Sequence, residues 1–150
     1  MKWLPPILVL LAALVGALLA QPASPNAAVR FQAVDIFIDS KQHALAAYQL
    51  EFSVKSGKAR IVGVEGGEHP AFKEAPFYDP KAIQHERVII AAFNTLTADN
   101  LPEGKTRVAT IHLQITGELQ PEYNLTLETA AAVNGKTIPV EATFEERKTL

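Results

Sequence analysis

Tyr48-Gln49-Leu50-Glu51-Phe52-Ser53-Val54 carries an apolar side chain at every second position and a polar one between. Side chains of an extended chain alternate between two faces. This period of two therefore describes a half-buried β-strand with Tyr48, Leu50, Phe52 and Val54 inward. The same period continues on both sides. Upstream, Val34, Ile36 and Ile38 alternate with Asp35, Phe37 and Asp39. Downstream, the turn Ser56-Gly57-Lys58 leads into a strand over 59–64, which Glu65-Gly66-Gly67-Glu68 then breaks. Gly63, Gly66 and Gly67 read as backbone devices where a strand leaves its sheet and turns sharply.

The stretch 66–86 is irregular, with Pro70, Pro76 and Pro80 among Phe72, Phe77 and Tyr78. Asp79-Pro80 predicts a short helical turn within 79–86. Order resumes at 87–94, where residues 88–93 are apolar on both faces and predict an interior strand. Two more strands follow, with inward sets Ala109, Ile111, Leu113, Ile115 and Tyr123, Leu125, Leu127. After the Asn134-Gly135 hairpin turn, Ile138, Val140, Ala142 and Phe144 form a last inward row. No long amphipathic helix is evident after residue 30. Several short strands, each with one polar face, predict an all-β domain of two packed antiparallel sheets, with a closed barrel as the alternative.

The chain has 150 residues, a formal net charge of −2 and no cysteine. The length sets one domain as the default. The absence of cysteine excludes disulfides, thiolate metal sites, a thiol nucleophile and an acylated N-terminal cysteine. The charge balance argues against nucleic acid as a partner. Lys2 precedes Trp3 and two prolines, and then the run ILVLLAALVGALLA at 7–20. A positive start, a short apolar stretch and a small residue before a polar segment predict a secretory signal over 1–20. The alternative is a retained membrane anchor helix over 3–20, at the short limit for a bilayer core of roughly 30 Å. Either reading places the rest of the chain across a membrane, in the periplasm or outside the cell. Residues 21–29 read as a linker, 30–145 as the folded domain and 146–150 as a flexible tail.

Catalytic patterns are lacking. There is no Gly-x-Ser-x-Gly elbow, and Ser40, Ser53 and Ser56 fall in or beside turns or at solvent-facing positions. His43, His69, His85 and His112 read as surface histidines. A metal set of His69 and His85 with Glu65, Glu68 or Glu86 lacks any HxH or HExxH spacing. Asp35, Asp39 and Asp99 are the nearest approach to a calcium set, without an EF-hand loop. No carboxylate pair suggests glycoside hydrolysis, and the glycines form no nucleotide-binding motif. Neither an enzyme nor a cofactor is expected. The Asn124-Leu125-Thr126 sequon matters only in a glycosylating pathway.

Two surfaces remain. Phe72, Phe77 and Tyr78 form either a lid over an open edge of the sandwich, the favoured reading, or an exposed recognition loop. The polar set Gln49, Glu51, Ser53, Thr110, His112 and Gln114 describes an outward sheet face suited to docking a protein. A sugar platform generally needs exposed coplanar rings. The one tryptophan, Trp3, belongs to the N-terminal segment, and Tyr48 and Tyr123 point inward.

The series VDIFIDS (34–40), LAAYQLEFSV (45–54), RIVGVEGG (60–67), F-x-x-x-PFYD (72–79), RVIIAAF (87–93) and LPEGKTRVATIHLQITG (101–117) resembles cohesin-like domains. These belong to the superfamily that includes bacterial carbohydrate-binding β-sandwich modules. The resemblance implies a nine-stranded jelly-roll used for non-catalytic docking through one sheet face. The shorter length here implies loss of a strand or flap. The expected function is thus an exported protein–protein docking module acting through a sheet face or the 66–86 loop. Its expected partner is another exported or envelope protein. The alternative is carbohydrate binding through the loop aromatics, with polysaccharide as partner. Membrane contact is expected only if the N-terminal segment is retained.

Overall fold

The computed structural model of the chain describes residues 27–148. The signal or anchor over 1–20 and most of the linker therefore lie outside the described residues, as do the last two positions. Among the described residues seven strands form the fold: β1 (Val29–Asp39), β2 (Ala47–Ser56), β3 (Ala59–Gly66), β4 (Arg87–Phe93), β5 (Lys105–Thr116), β6 (Glu122–Ala131) and β7 (Glu141–Glu146). They build a four-stranded sheet in the order β3-β5-β1-β7 and a three-stranded sheet in the order β4-β2-β6. All pairings are antiparallel. Successive strands alternate strictly between the two sheets, so none pairs with its neighbour in sequence. The architecture is a two-sheet antiparallel sandwich, with seven strands rather than the nine that the cohesin resemblance implies.

The alternating rows meet between the sheets. Val34, Ile36 and Ile38 of β1, Ile111, Leu113 and Ile115 of β5, and Ile61 of β3 face Leu50 and Phe52 of β2 and Ile90 of β4, all fully buried. Burying a large aliphatic or aromatic side chain contributes roughly 1.5–3 kcal/mol, so these rows dominate stability. Opposite Ile36 and Phe37, β5 carries an extra residue, Val108, which leaves the ladder. Its carbonyl accepts the Tyr48 hydroxyl at 3.2 Å across the core, which satisfies a buried phenol.

Four expectations change. First, β4 is apolar on both faces yet is the edge strand of its sheet. One face buries Val88 and Ile90, while Ile89 and Phe93 on the other are exposed. The doubly apolar pattern reports how β4 is covered, not where it sits in the sheet. Part of its open edge is shielded by the irregular segment, where Phe77 bridges Ala91. Second, the Asn134-Gly135 turn closes only a local bridge between Ala131 and Thr137. The chain then crosses to the other sheet, where β7 pairs with β1. Third, Ser40 is fully buried at the end of β1 rather than turned to solvent. Its N–H donates to the Gly104 carbonyl at 3.1 Å, tying it into the base of the 101–105 turn.

The fourth change concerns Gly66 and Gly67, whose backbones are not in the left-handed region. They are needed for closeness. A Cβ on Gly66 would lie 2.0 Å from the Lys73 carbonyl oxygen, and one on Gly67 would lie 2.2 Å from that of Arg107. The irregular segment is thereby clamped against the end of β3. Gly67 N–H donates to the Phe72 carbonyl at 2.6 Å across this contact. Phe72, held in the 3₁₀ turn Pro70–Phe72, plugs the core edge-on to Tyr48, with ring centroids 5.5 Å apart. The expected turn near 80 is present as a 3₁₀ turn, Pro80–Ala82, capped by the Asp79 side chain on Lys81 N–H.

Candidate functional site

The expected docking residues divide between the two sheets. Gln49, Glu51 and Ser53 lie on β2 in the three-stranded sheet. Thr110, His112 and Gln114 lie on β5 in the four-stranded one. Outward faces of packed sheets point in opposite directions, so these residues do not form one surface. Alternation along a strand tells inward from outward, but not which sheet owns the strand.

On the four-stranded side, Thr110 is fully buried despite its outward phase. It donates to Asp35 at 2.6 Å and accepts from Arg107 at 2.8 Å. Arg147 lies over it and donates to both Asp35 carboxylate oxygens at 2.8 Å. Arg147 N–H also donates to the Ala33 carbonyl at 2.9 Å, extending the β7 pairing into a segment that the sequence assigned to the tail. Burial pushes the Asp35 carboxyl up. Hydrogen bonds from Arg147 and Thr110, with the charges of Arg147 and Arg107, outweigh this and hold it below its ordinary value of 3.8. His112 pairs with Glu65 at 2.9 Å. The charged and hydroxyl groups of this face are thus paired with one another, with Phe31 exposed beside them.

A depressed folded pKa contributes stability that is fully present above the unfolded value and is lost as pH falls through the folded one. Asp35→Asn is expected to destabilise the domain at pH 7 by about 1–2 kcal/mol, the scale of a charged hydrogen bond lost in a half-covered site. The gap to the parent should close as pH falls below the ordinary aspartate value. Urea midpoints for both proteins across pH 7 to pH 3 check this; a gap constant with pH contradicts the assignment.

The three-stranded side differs. On β4 the outward row is Arg87, Ile89, Ala91 and Phe93, which the register sets beside Ser53, Glu51, Gln49 and Ala47 of β2. Arg87 donates to Glu51 at 2.6 Å, and this hydrogen bond holds the Glu51 carboxyl below its usual range. At the other end of the row the irregular segment adds Phe77. Its ring stacks on Phe93 with centroids 6.0 Å apart and planes 14° from parallel. Phe77 is 70% exposed, Phe93 67% and Ile89 39%. Beside them runs a groove of about 670 Å³, bounded by Phe77, Tyr78 and the polar side chains Asp79, Lys81, His85 and Arg87.

The three loop aromatics therefore have separate roles. Phe72 is the lid, Tyr78 is half-buried against the core, and Phe77 is presented to solvent. Phe93 and Ile89 were missed as surface residues. Their signal was the second apolar phase of 87–93, which had been assigned to an interior position.

Histidine and carboxylate chemistry does not converge on this face. His69 Nδ1 accepts from Ala71 N–H as the cap of a 3₁₀ turn. Among the described residues no three His, Cys, Asp or Glu side chains are grouped to hold a metal ion. Asp39 is engaged by Lys41 at 2.5 Å, and Asp35 by the arginines. Comparison of the chain with protein-family models, with curated proteins and with solved structures gives no match. The structure retains, from the resemblance, the two-sheet sandwich common to jelly-roll and sandwich proteins in general.

Proposed function

We propose that the domain is a non-catalytic docking module, exported by its N-terminal segment, that binds another exported or envelope protein. The contact surface is the outer face of the three-stranded sheet. One observation carries this reading: two large aromatic rings, Phe77 and Phe93, stand in solvent side by side. Exposed aromatics backed by a rigid sheet are what a protein interface uses as anchors, and the Arg87–Glu51 pair with Gln49 supplies a polar rim. The other exposed apolar side chains include Val29, Phe31 and Leu119, near the point where the chain enters the fold, a group without a stacked aromatic pair.

Polysaccharide is the second reading, favoured by the polar groups that surround Phe77 in the groove. Against it, the rings stack on one another, which occupies ring faces that sugars would need. The test is the double variant Phe77→Ser, Phe93→Ser. Its thermal midpoint should move by no more than a few degrees, because both side chains are exposed. Partner capture by the full chain should fall by about a hundredfold, the scale of a lost hot-spot pair. Retained capture overturns the proposal. Retardation of the parent, but not the variant, in polysaccharide gels transfers the face to the second reading.

A further inference from the structure

We infer that the groove beside β4 accepts an extended, acidic and apolar segment of the partner protein as an added antiparallel strand. This rests on the docking reading above and specifies the form the partner takes. Phe77 and Ala91 exchange both backbone hydrogen bonds, Phe77 N–H to the Ala91 carbonyl at 2.8 Å and the reverse at 3.0 Å. In a strand, backbone groups two residues apart point to the same side. The N–H and C=O of Ile89 therefore face the same open edge as those of Ala91. Continuing the ladder from Phe77 would place residue 79 opposite Ile89. The chain leaves instead at Asp79, entering the 3₁₀ turn Pro80–Ala82.

The next rung is thus empty: among the described residues nothing bonds to the Ile89 N–H or C=O on that side. The groove lies at this rung, with Phe77 and Ile89 as its apolar wall and Lys81, His85 and Arg87 along it. Asp79 also lines the groove, with one carboxylate oxygen accepting from the Lys81 N–H. An incoming strand gains the Ile89 backbone groups as ladder partners. It places an apolar side chain on Phe77, and an acidic side chain can pair with Lys81, which has no ion-pair partner among the described residues, whereas Arg87 is already paired with Glu51. Strand addition of this kind takes affinity from main-chain bonds and specificity from alternate side chains.

The test selects linear peptides of about twelve residues from a display library on the full chain, then reads amide exchange by NMR. Enriched peptides should alternate acidic with β-branched or aromatic residues. The selected peptide should slow exchange at the Ile89 amide by about tenfold or more, and Lys81→Glu should weaken binding by about tenfold. N-methylation of alternate peptide amides should abolish binding in one phase and spare it in the other. Three results overturn the inference: no enriched peptide, unchanged Ile89 exchange with peptide bound, or equal tolerance of N-methylation in both phases. Self-association of the chain through β4 does so too. If Phe77→Ser, Phe93→Ser abolishes partner capture while the partner leaves Ile89 freely exchanging, the docking face stands and only the added strand falls.

Discussion

Gly66→Ala is expected to destabilise the domain by about 3 kcal/mol or more. The new methyl carbon would sit 2.0 Å from the Lys73 carbonyl oxygen and 2.5 Å from that of Glu74. Both are main-chain atoms, so no side-chain rotation relieves the contact. The 73–74 backbone must move away from β3, drawing with it Phe72 and the bond from Gly67 N–H. Overpacking ordinarily costs about 1–3 kcal/mol; a backbone collision that also unseats a buried phenyl ring belongs at or above the upper end. Gly63→Ala is the control, since its Cβ would meet only His112 side-chain atoms at 3.8 Å. That variant should match the parent within about 0.5 kcal/mol, the scale of surface changes and of the glycine entropy term. Urea melts of the two variants decide the matter. Equal stability would mean that the close approach is not a constraint.

Phe52→Ala should be comparably severe for a different reason. Phe52 is fully buried on β2 and lies 5.2 Å from the Tyr123 ring on β6 and 6.5 Å from Phe144 on β7. Tyr123 and Phe144 themselves meet edge-on at 6.0 Å. The cluster thus joins both sheets. Truncation removes the hub and leaves a cavity, at a cost of about 3–5 kcal/mol. For a domain of this size the thermal midpoint should fall by roughly 12–20 °C. Phe52→Leu keeps most of the apolar volume and should cost roughly a third to a half of that. Calorimetry on the three proteins checks the order. An alanine variant losing under about 1 kcal/mol would show that the core collapses to fill the space.

The inward rows were legible because burial is written directly into alternation. Val34, Ile36, Ile38, Leu50, Phe52, Ile111, Leu113 and Ile115 all lie where their phase puts them. Pairing was not legible, since nothing in the 47–56 stretch states that β2 lies between β4 and β6 rather than beside β1 or β3. The same gap explains why Gln49 and Thr110 were read as one surface. Thr110 shows a second limit: its burial depends on Arg107 and on Arg147, which approaches from near the end of the chain. No local pattern encodes such a contact. Phe77 and Phe93 show a third. Both are apolar, and only their joint placement on an outward face makes them a surface.

The strict alternation of strands between sheets has a kinetic consequence. A chain whose consecutive strands pair can begin to fold from a hairpin closed by a few residues. Here β1 must wait for β5 and β7, and β2 for β4 and β6, so every ladder closes a long loop before it gains any bond. No fragment ending before β5 contains any ladder of the four-stranded sheet. The four-stranded sheet therefore cannot start to form until β5 is present, whereas the β2–β4 ladder of the other sheet can form earlier.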